Sequence, residues 1–337
     1  MRIMNQEKLK GNLAMFFTAI IFGINIPFSK ALLPYWMSAE AMIYSRFLFG
    51  ALSFWLASLF IHAEHVPIKD LALLLLGSVL GIAFNQGFFI EGLLRTSPSD
   101  ASIVTTITPI LVLIISFIFL KEPITFKKTG GVLLGFLGVI IIIVNSDLKD
   151  KTHHATTLGD LLCIGSSLAY AFFLVVTRAV SKRYHPITIM KWMFLFSALL
   201  AMPWGLHDTI SAHLFSGKSL SAWGSFIYML VGATFITYLL IPFSQKRIRP
   251  TTIGMYNYLQ PLMASIVSIT MGSESFSWIK PVAAMLIFAG VYLVTTSKSK
   301  EDLERLAIGN KAPATSTAQA PLNIRKNRWT PFQNNQR

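Results

Sequence analysis

The chain has 337 residues, 53% of them hydrophobic and only 13% charged, with mean hydropathy +0.58 and a formal net charge of +14. A soluble domain carries roughly 25% charged residues, so the composition excludes an ordinary soluble domain and points to an integral membrane protein. The single cysteine, Cys163, excludes an intrachain disulfide, a redox pair and a Cys-rich metal site.

Arg2, Lys8 and Lys10 precede the first apolar run, an arrangement superficially like a signal peptide. The run is too long, however, and lacks a small-residue cleavage site, so residues 1–10 read as a cytoplasmic N-terminus and the run as a first membrane span. Apolar stretches of about 17–25 residues, the length that crosses a bilayer as helix, follow in series. Ten are predicted, near 11–30, 39–62, 71–93, 99–120, 128–145, 158–180, 187–206, 223–244, 251–271 and 278–297. Backbone in lipid must satisfy its own hydrogen bonds, so the expected fold is an all-α integral membrane protein of ten transmembrane helices.

The polar residues inside these spans are few, and they are the candidates for function. Span one holds Asn25, with Pro27 just beyond, and span two holds Arg46, the only Arg or Lys well inside a span. A cation at the centre of a helix costs about 2.5–3.5 kcal/mol on insertion scales. Arg46 therefore snorkels outward, pairs with Glu91, or meets an anionic substrate group. Span three carries Asn85 and Gln86 near its middle and Glu91, the only carboxylate inside a span rather than at its end. Arg95 lies one turn after Glu91 on the same face, so Glu91 either forms a surface pair there or, if buried with Arg46, acts as a protonatable switch.

Pro109 and Pro261 sit near the middle of spans four and nine, each lacking an N–H and displacing the carbonyl four residues earlier, at Thr105 and Asn257. Thr105, Thr106 and Thr108 surround the first break, and Asn257 and Gln260 the second. These polar groups either re-satisfy freed backbone or line a substrate cavity with the prolines as hinges. Tyr170, Tyr238, Tyr256 and Tyr258 offer an aromatic lining or a packing surface. Glu122 and Glu274, at span ends, read as helix caps and turn anchors. Gly77 with Gly81, and Gly131 with Gly135, are small-xxx-small pairs that permit close helix contact. Residues 298–337 turn polar, basic and low in complexity, which predicts a disordered cytoplasmic tail.

The basic excess follows sidedness. With the N-terminus in the cytoplasm, inner segments hold 22 Lys and Arg and outer loops 6, with Arg46 within a span. The positive-inside rule accounts for this without a nucleic-acid partner and puts both termini in the cytoplasm.

The chain also repeats. At an offset of 152, Arg95, Pro98, Pro109, Ser116, Glu122, Lys128 and Gly138 meet Arg247, Pro250, Pro261, Ser268, Glu274, Lys280 and Gly290. At an offset of 148, Lys30-Ala31, Met42, Tyr44 and Leu52 meet Arg178-Ala179, Met190, Trp192 and Leu200, which places a four-residue insertion near 207–222. Two five-span repeats result, 11–145 and 158–297, joined by a polar linker at 146–157. Five is odd, so the second repeat enters the membrane from the opposite side. Such inverted repeats rock around a midplane site.

Phe22-Gly23-Ile24-Asn25, Arg46, the Lys121-Glu122-Pro123-Ile124-Thr125 end of span four, and Gly131, Gly135 and Gly138 resemble the EamA family of the drug/metabolite transporter superfamily. The second repeat departs from the pattern, with Phe194 in the position of Arg46 and Gly290 alone of the glycines. The resemblance implies a ten-helix secondary transporter of small metabolites in the cell membrane, often an exporter of amino acids or related compounds, working as a monomer or homodimer.

No Walker motif and no H-E-x-x-H occurs, no span holds an Asp pair, and all seven histidines fall in or beside loops. An intramembrane enzyme and a channel are the competing classes, and neither finds its residues here. The expected partners are a small-molecule substrate and the lipid bilayer, with no cofactor and no metal.

Overall fold

Every regular element among the described residues is helical, which follows from backbone that must pair within its own segment. The computed structural model of the chain describes residues 2–95, 105–147, 157–270 and 278–297. Pro98, Glu274, His153, His154, most of the 146–157 linker and the 298–337 tail lie outside them. Besides the short helices Arg178–Arg183 and His213–Ser216, the longer helices among the described residues are α1 (Arg2–Leu32), α2 (Ala39–Ser58), α3 (Ile68–Arg95), α4 (Thr108–Leu120), α5 (Phe126–Asp147) and α6 (Thr157–Val176). They continue with α7 (Pro186–Ile210), α8 (Leu220–Gln245), α9 (250–270) and α10 (Ile279–Thr295). Six of them, α1, α2, α3, α6, α7 and α8, are long and apolar enough to cross a membrane. Large apolar side chains such as Leu52, Leu56, Phe60, Phe119, Leu137 and Trp204 are exposed on the outside of the bundle, as a lipid solvent requires.

α1 starts well before the predicted span because a helix can run past the bilayer once its polar turns are solvated. Its first turns are tied by Lys10 to Glu7 and by Arg247 to Glu7, both at 2.7 Å. The predicted insertion coincides with an extra turn: α7 runs to Ile210, whereas α2 stops at Ser58.

α2 packs on α7 and α5 on α10, while α1 lies against α8 and α9, and α6 against α3 and α4. α4 also meets α9. Exchanging each helix for the one five places away maps these contacts onto themselves. α5 and α10 approach so closely that a Cβ on Gly290 would stand 2.5 Å from the carbonyl oxygen of Gly131, and one on Gly138 2.8 Å from that of Ala283. Small residues at these positions let two backbones touch.

The basic segments gather at one end of the bundle. There Arg183 and Tyr184 hold Asp70 at 2.8 and 2.5 Å, which raises the Tyr184 phenol above its usual range. Gln245 joins Thr177 and Ser181, and Ser244 donates to the Gly11 carbonyl. α1 leaves this end and α6 arrives at it. The opposite end joins Lys30 to the Leu93 carbonyl, Ser38 to Asp208 and Leu214 to Trp36.

Glu122 also belongs to the basic end. α4 stops at Lys121, whose φ of 51° is left-handed, and the Glu122 N–H donates back to the Ser116 carbonyl at 3.2 Å. The turn directs the Glu122 carboxylate to Lys128 Nζ at 2.9 Å and to the Thr251 hydroxyl at 3.1 Å. It thus caps a turn and anchors the start of α9. The Lys128 side chain is fully buried, so its charge depends on this partner.

Lys128→Met should therefore destabilise the protein by about 3–5 kcal/mol, and Lys128→Met with Glu122→Met should recover most of that loss, read as melting temperature in detergent. Gly290→Ala should cost about 1–3 kcal/mol through overpacking, while Gly130→Ala, where an added Cβ meets nothing within 4 Å, should be neutral or better.

Candidate functional site

Two interruptions in the helices shape the interior. α3 carries a π turn at Val79–Phe84 and α8 one at Tyr228–Ile236. Such turns shift the backbone pairing and recur at functional sites. Thr234 illustrates the shift, donating its hydroxyl to the Met229 carbonyl five residues back at 3.0 Å. Near the prolines the helices also break. The chain turns at Thr106–Ile107 and α4 resumes at Thr108, with Pro109 in its first turn. In α9 a 3-10 turn at Tyr256–Tyr258 precedes Leu259–Thr270, whose first turn holds Pro261. Each proline thus follows its break, where a missing N–H costs nothing.

These features surround a partly open cavity of about 90 Å³ bordered by α1, α2, α3, α4, α6, α8 and α9. Asn25, Arg46, Asn85, Gln86, Thr105, Tyr170, Tyr238, Asn257 and Gln260, all candidates from the sequence, line it. Glu91 does not join them: its carboxylate is taken by Arg95 one turn later, so the surface pair is formed and the pairing with Arg46 is not. Phe22, Ile26, Phe89, Thr108, Ser166 and Ser167 complete the wall. Of these, the Ser166-Ser167 pair in the middle of an apolar span was the readable sign, since hydroxyls there need a reason. A larger apolar crevice of about 450 Å³ lies between α1, α9 and α10. Among the described residues Thr270 is its one polar lining side chain, against the many polar groups of the smaller cavity.

The lining atoms divide into engaged and free. Asn85 Nδ2 donates to the Ser166 carbonyl and hydroxyl at 3.1 and 3.0 Å, and the Ser166 hydroxyl returns a bond to the Asn85 carbonyl at 2.7 Å. That clasp fixes α3 on α6. Arg46 donates from Nε to the Thr234 hydroxyl at 3.0 Å and from Nη2 to the Ala233 carbonyl at 2.9 Å, so it is held by the π turn of α8 rather than snorkelling. Gln260 donates to Asn257 Oδ1 at 3.2 Å across the α9 break.

Gln86 donates from Nε2 to the Tyr238 hydroxyl at 2.8 Å, and that hydroxyl donates onward to the Gly81 carbonyl at 3.3 Å. This order leaves Gln86 Oε1 free. Asn25 donates to the Ser29 hydroxyl at 3.0 Å and leaves its own Oδ1 free. Both oxygens, with Ser167 Oγ and Tyr170 OH, are buried without a hydrogen-bond partner. An unanswered buried polar atom costs about 1–3 kcal/mol, and four of them bordering one cavity are poised for a ligand or water. Across the same cavity, Phe22 and Tyr170 are separated by the 148 offset. Gln86 and Tyr238, Thr105 and Asn257, and Thr108 and Gln260 are separated by 152.

Tyr238→Phe should cost about 1–3 kcal/mol by stranding Gln86 Nε2. Adding Gln86→Met should restore part of it, a coupling that a double-mutant cycle of thermal stabilities reads directly.

The model of the EamA-like transporter family matches the chain twice, over residues 9–144 and 157–296. YetK of Bacillus subtilis (strain 168), described as an uncharacterized transporter, is 25% identical over 235 residues, 69% of this chain and 71% of its own. An uncharacterized transporter of Archaeoglobus fulgidus is 24% identical over 242 residues, 72% of this chain and 84% of its own. A solved crystal structure shares the fold with a TM-score of 0.68 and 16% identity, over 90% of this chain and 99% of that one. With membrane-length helices and a family match over both halves, this multi-pass membrane protein belongs to the EamA-like transporter family.

Proposed function

We propose that the protein is a secondary transporter that moves a small metabolite, an amino acid or related compound, out of the cell across the cytoplasmic membrane. Transport proceeds by alternating access between two inverted five-helix repeats, α1–α5 and α6–α10, all ten helices spanning the membrane and both termini on the cytoplasmic side. The observation that carries the reading is the polar cavity, bordered by helices of both repeats and by four residue pairs at the repeat offsets. The exchangeable packing of helices five places apart supports the repeat. The opposite directions of α1 and α6 at the basic end support its inversion, and the positive-inside rule makes that end cytoplasmic.

The polar clasps at the basic end, Asp70 with Arg183 and Tyr184, Gln245 with Thr177 and Ser181, and Glu122 with Thr251, support a conformation closed toward the cytoplasm. Opening that side requires some of them to part. Pro109 and Pro261, each beside a broken helical turn, are the hinges of this motion. The small cavity suits a small substrate.

Counterflow in proteoliposomes with a panel of amino acids, with and without a pH gradient, tests this. At least one amino acid should exchange. Asn257→Ala and Gln260→Ala should each lower that exchange roughly tenfold, as expected for losing about one hydrogen bond to a charged group. Glu91→Gln should leave it unchanged. A folded protein that exchanges no amino acid or related compound would overturn the substrate reading.

A further inference from the structure

We infer that Arg46 sets the charge selectivity of the cavity by holding the anionic group of a zwitterionic substrate whose N–H donors are received by Asn25 Oδ1 and Gln86 Oε1. The assignment deepens the transporter reading and rests on it.

Arg46 is a buried cation whose two protein acceptors, the Thr234 hydroxyl and the Ala233 carbonyl, are both neutral. A guanidinium has five N–H donors in a fixed fork, and these two bonds use only Nε and Nη2. Among the described residues that line the cavity none is acidic. The carboxylate that the sequence offered as a counter-charge, Glu91, is committed to Arg95. A charge buried within a membrane bundle without an opposite charge beside it is unfavourable, and such residues mark substrate paths. A substrate carboxylate in the cavity supplies the missing anion and suits the planar fork of an arginine.

The other half of the pattern is independent of Arg46. Because the Tyr238 proton goes to the Gly81 carbonyl, Gln86 donates to Tyr238 and turns its carbonyl oxygen loose. Asn25 likewise gives its N–H to Ser29, and both oxygens stay buried without a donor. Two orphaned amide oxygens accept N–H groups from an ammonium without adding charge. One fixed cation and neutral acceptors accommodate a molecule of zero net charge. A simple amine would place two positive charges in one cavity, and a simple acid would leave the acceptors unanswered. Both analogues should therefore bind less well than the zwitterion.

The duplication makes the arrangement polar. The repeat-related position of Arg46 is Phe194 and that of Asn25 is Phe173, both fully buried apolar side chains. The cation and the two orphaned amide oxygens thus come from the first repeat, and the substrate has one orientation instead of two.

The test uses the purified full-length protein in detergent and three matched sets of ligands: alanine, ethylamine and propionate; leucine, 3-methylbutylamine and 4-methylpentanoate; and phenylalanine, 2-phenylethylamine and 3-phenylpropionate. Binding is read by ligand-induced thermal stabilisation and, in proteoliposomes, by competition with counterflow. At least one amino acid should bind the wild type at least tenfold more tightly than its amine and its acid, a conservative reading of the factor lost with a partner of a buried charge. Arg46→Gln should abolish the preference for that amino acid over its amine, and Arg46→Lys should keep part of it. Thr234→Val, which loosens the arginine but retains its charge, should weaken binding while keeping the preference. Gln86→Met should instead narrow the margin over the acid.

Equal binding of amine and amino acid by the wild type, or a preference that survives in a folded Arg46→Gln protein, would overturn the assignment and leave the transporter reading intact. If none of the three amino acids binds or exchanges while a related compound does, the transporter reading survives and this assignment falls. If nothing exchanges, both fall.

Discussion

Lipid offers no hydrogen bonds, so each polar atom inside this bundle must be answered by the protein, by a trapped water or by a ligand. Most are answered by the protein. Ser78 shares a bond with Ser197 and donates to the Met193 carbonyl, Asn85 and Ser166 clasp each other, and Gln245 is held between Thr177 and Ser181. These contacts join helices that apolar packing alone would leave free to slide. Against that background the unanswered atoms matter more than the answered ones. Among the described residues, four of them (Asn25 Oδ1, Gln86 Oε1, Ser167 Oγ and Tyr170 OH) belong to residues of one cavity wall. Three others, Ser116 Oγ, Thr188 Oγ1 and Thr295 Oγ1, belong to no cavity wall described above, so it is the gathering of four at one wall that marks a place for something else to bind.

Duplication supplied the frame and divergence the chemistry. The Gln86–Tyr238 bond joins two positions 152 apart, so residues that occupy equivalent places in the two halves meet face to face. Only residues near the line that relates the halves can do this. Away from it the copies have drifted: Arg46 stands where the other half has Phe194, and Phe194 now stacks on Phe54 and meets the edge of Tyr238. The one buried cation among the described residues of the cavity wall therefore comes from the first repeat, with an aromatic ring at its counterpart in the second. A symmetrical cavity would hold a ligand in either of two orientations, and this divergence removes that degeneracy.

The sequence discloses a helix most easily where its solvent is lipid, because an uninterrupted apolar run of membrane length would be insoluble in water. Runs containing α1, α2, α3, α6, α7 and α8 were legible for that reason. Asn25, Arg46, Asn85, Gln86, Asn257 and Gln260 stood out by the same logic inverted, since an amide or guanidinium within such a run needs a partner or a purpose. Glu91 stayed open between Arg95 and Arg46 because sequence spacing cannot weigh a neighbour on the same helix against one on another; the short reach to Arg95 won. Glu122 was readable as an anchor from its position at a span end. Its burial with Lys128 and its grip on Thr251 were not, because they depend on how α9 meets the turn after α4. Nor were the π turns, which leave no residue signature and arise from the extra backbone that packing accommodates.

Those two π turns connect the cavity to the repeat. Gly81 and Ala233 occupy equivalent positions, 152 apart, one in the π turn of α3 and the other in that of α8. The Gly81 carbonyl accepts from Tyr238, and the Ala233 carbonyl accepts from Arg46. Each displaced turn is thus bonded by a side chain from the opposite half, and both side chains line the cavity. A wider turn exposes carbonyl oxygen that a regular helix would have used internally; a donor from the other repeat answers it at Gly81, and at Ala233 Arg46 shares the oxygen with Thr237 of the same helix. The same two side chains that stabilise the turns border the space where a substrate would sit. Binding there and the register of the two halves consequently share their hydrogen bonds, a direct physical route by which occupancy of the cavity can bias the way one half sits against the other.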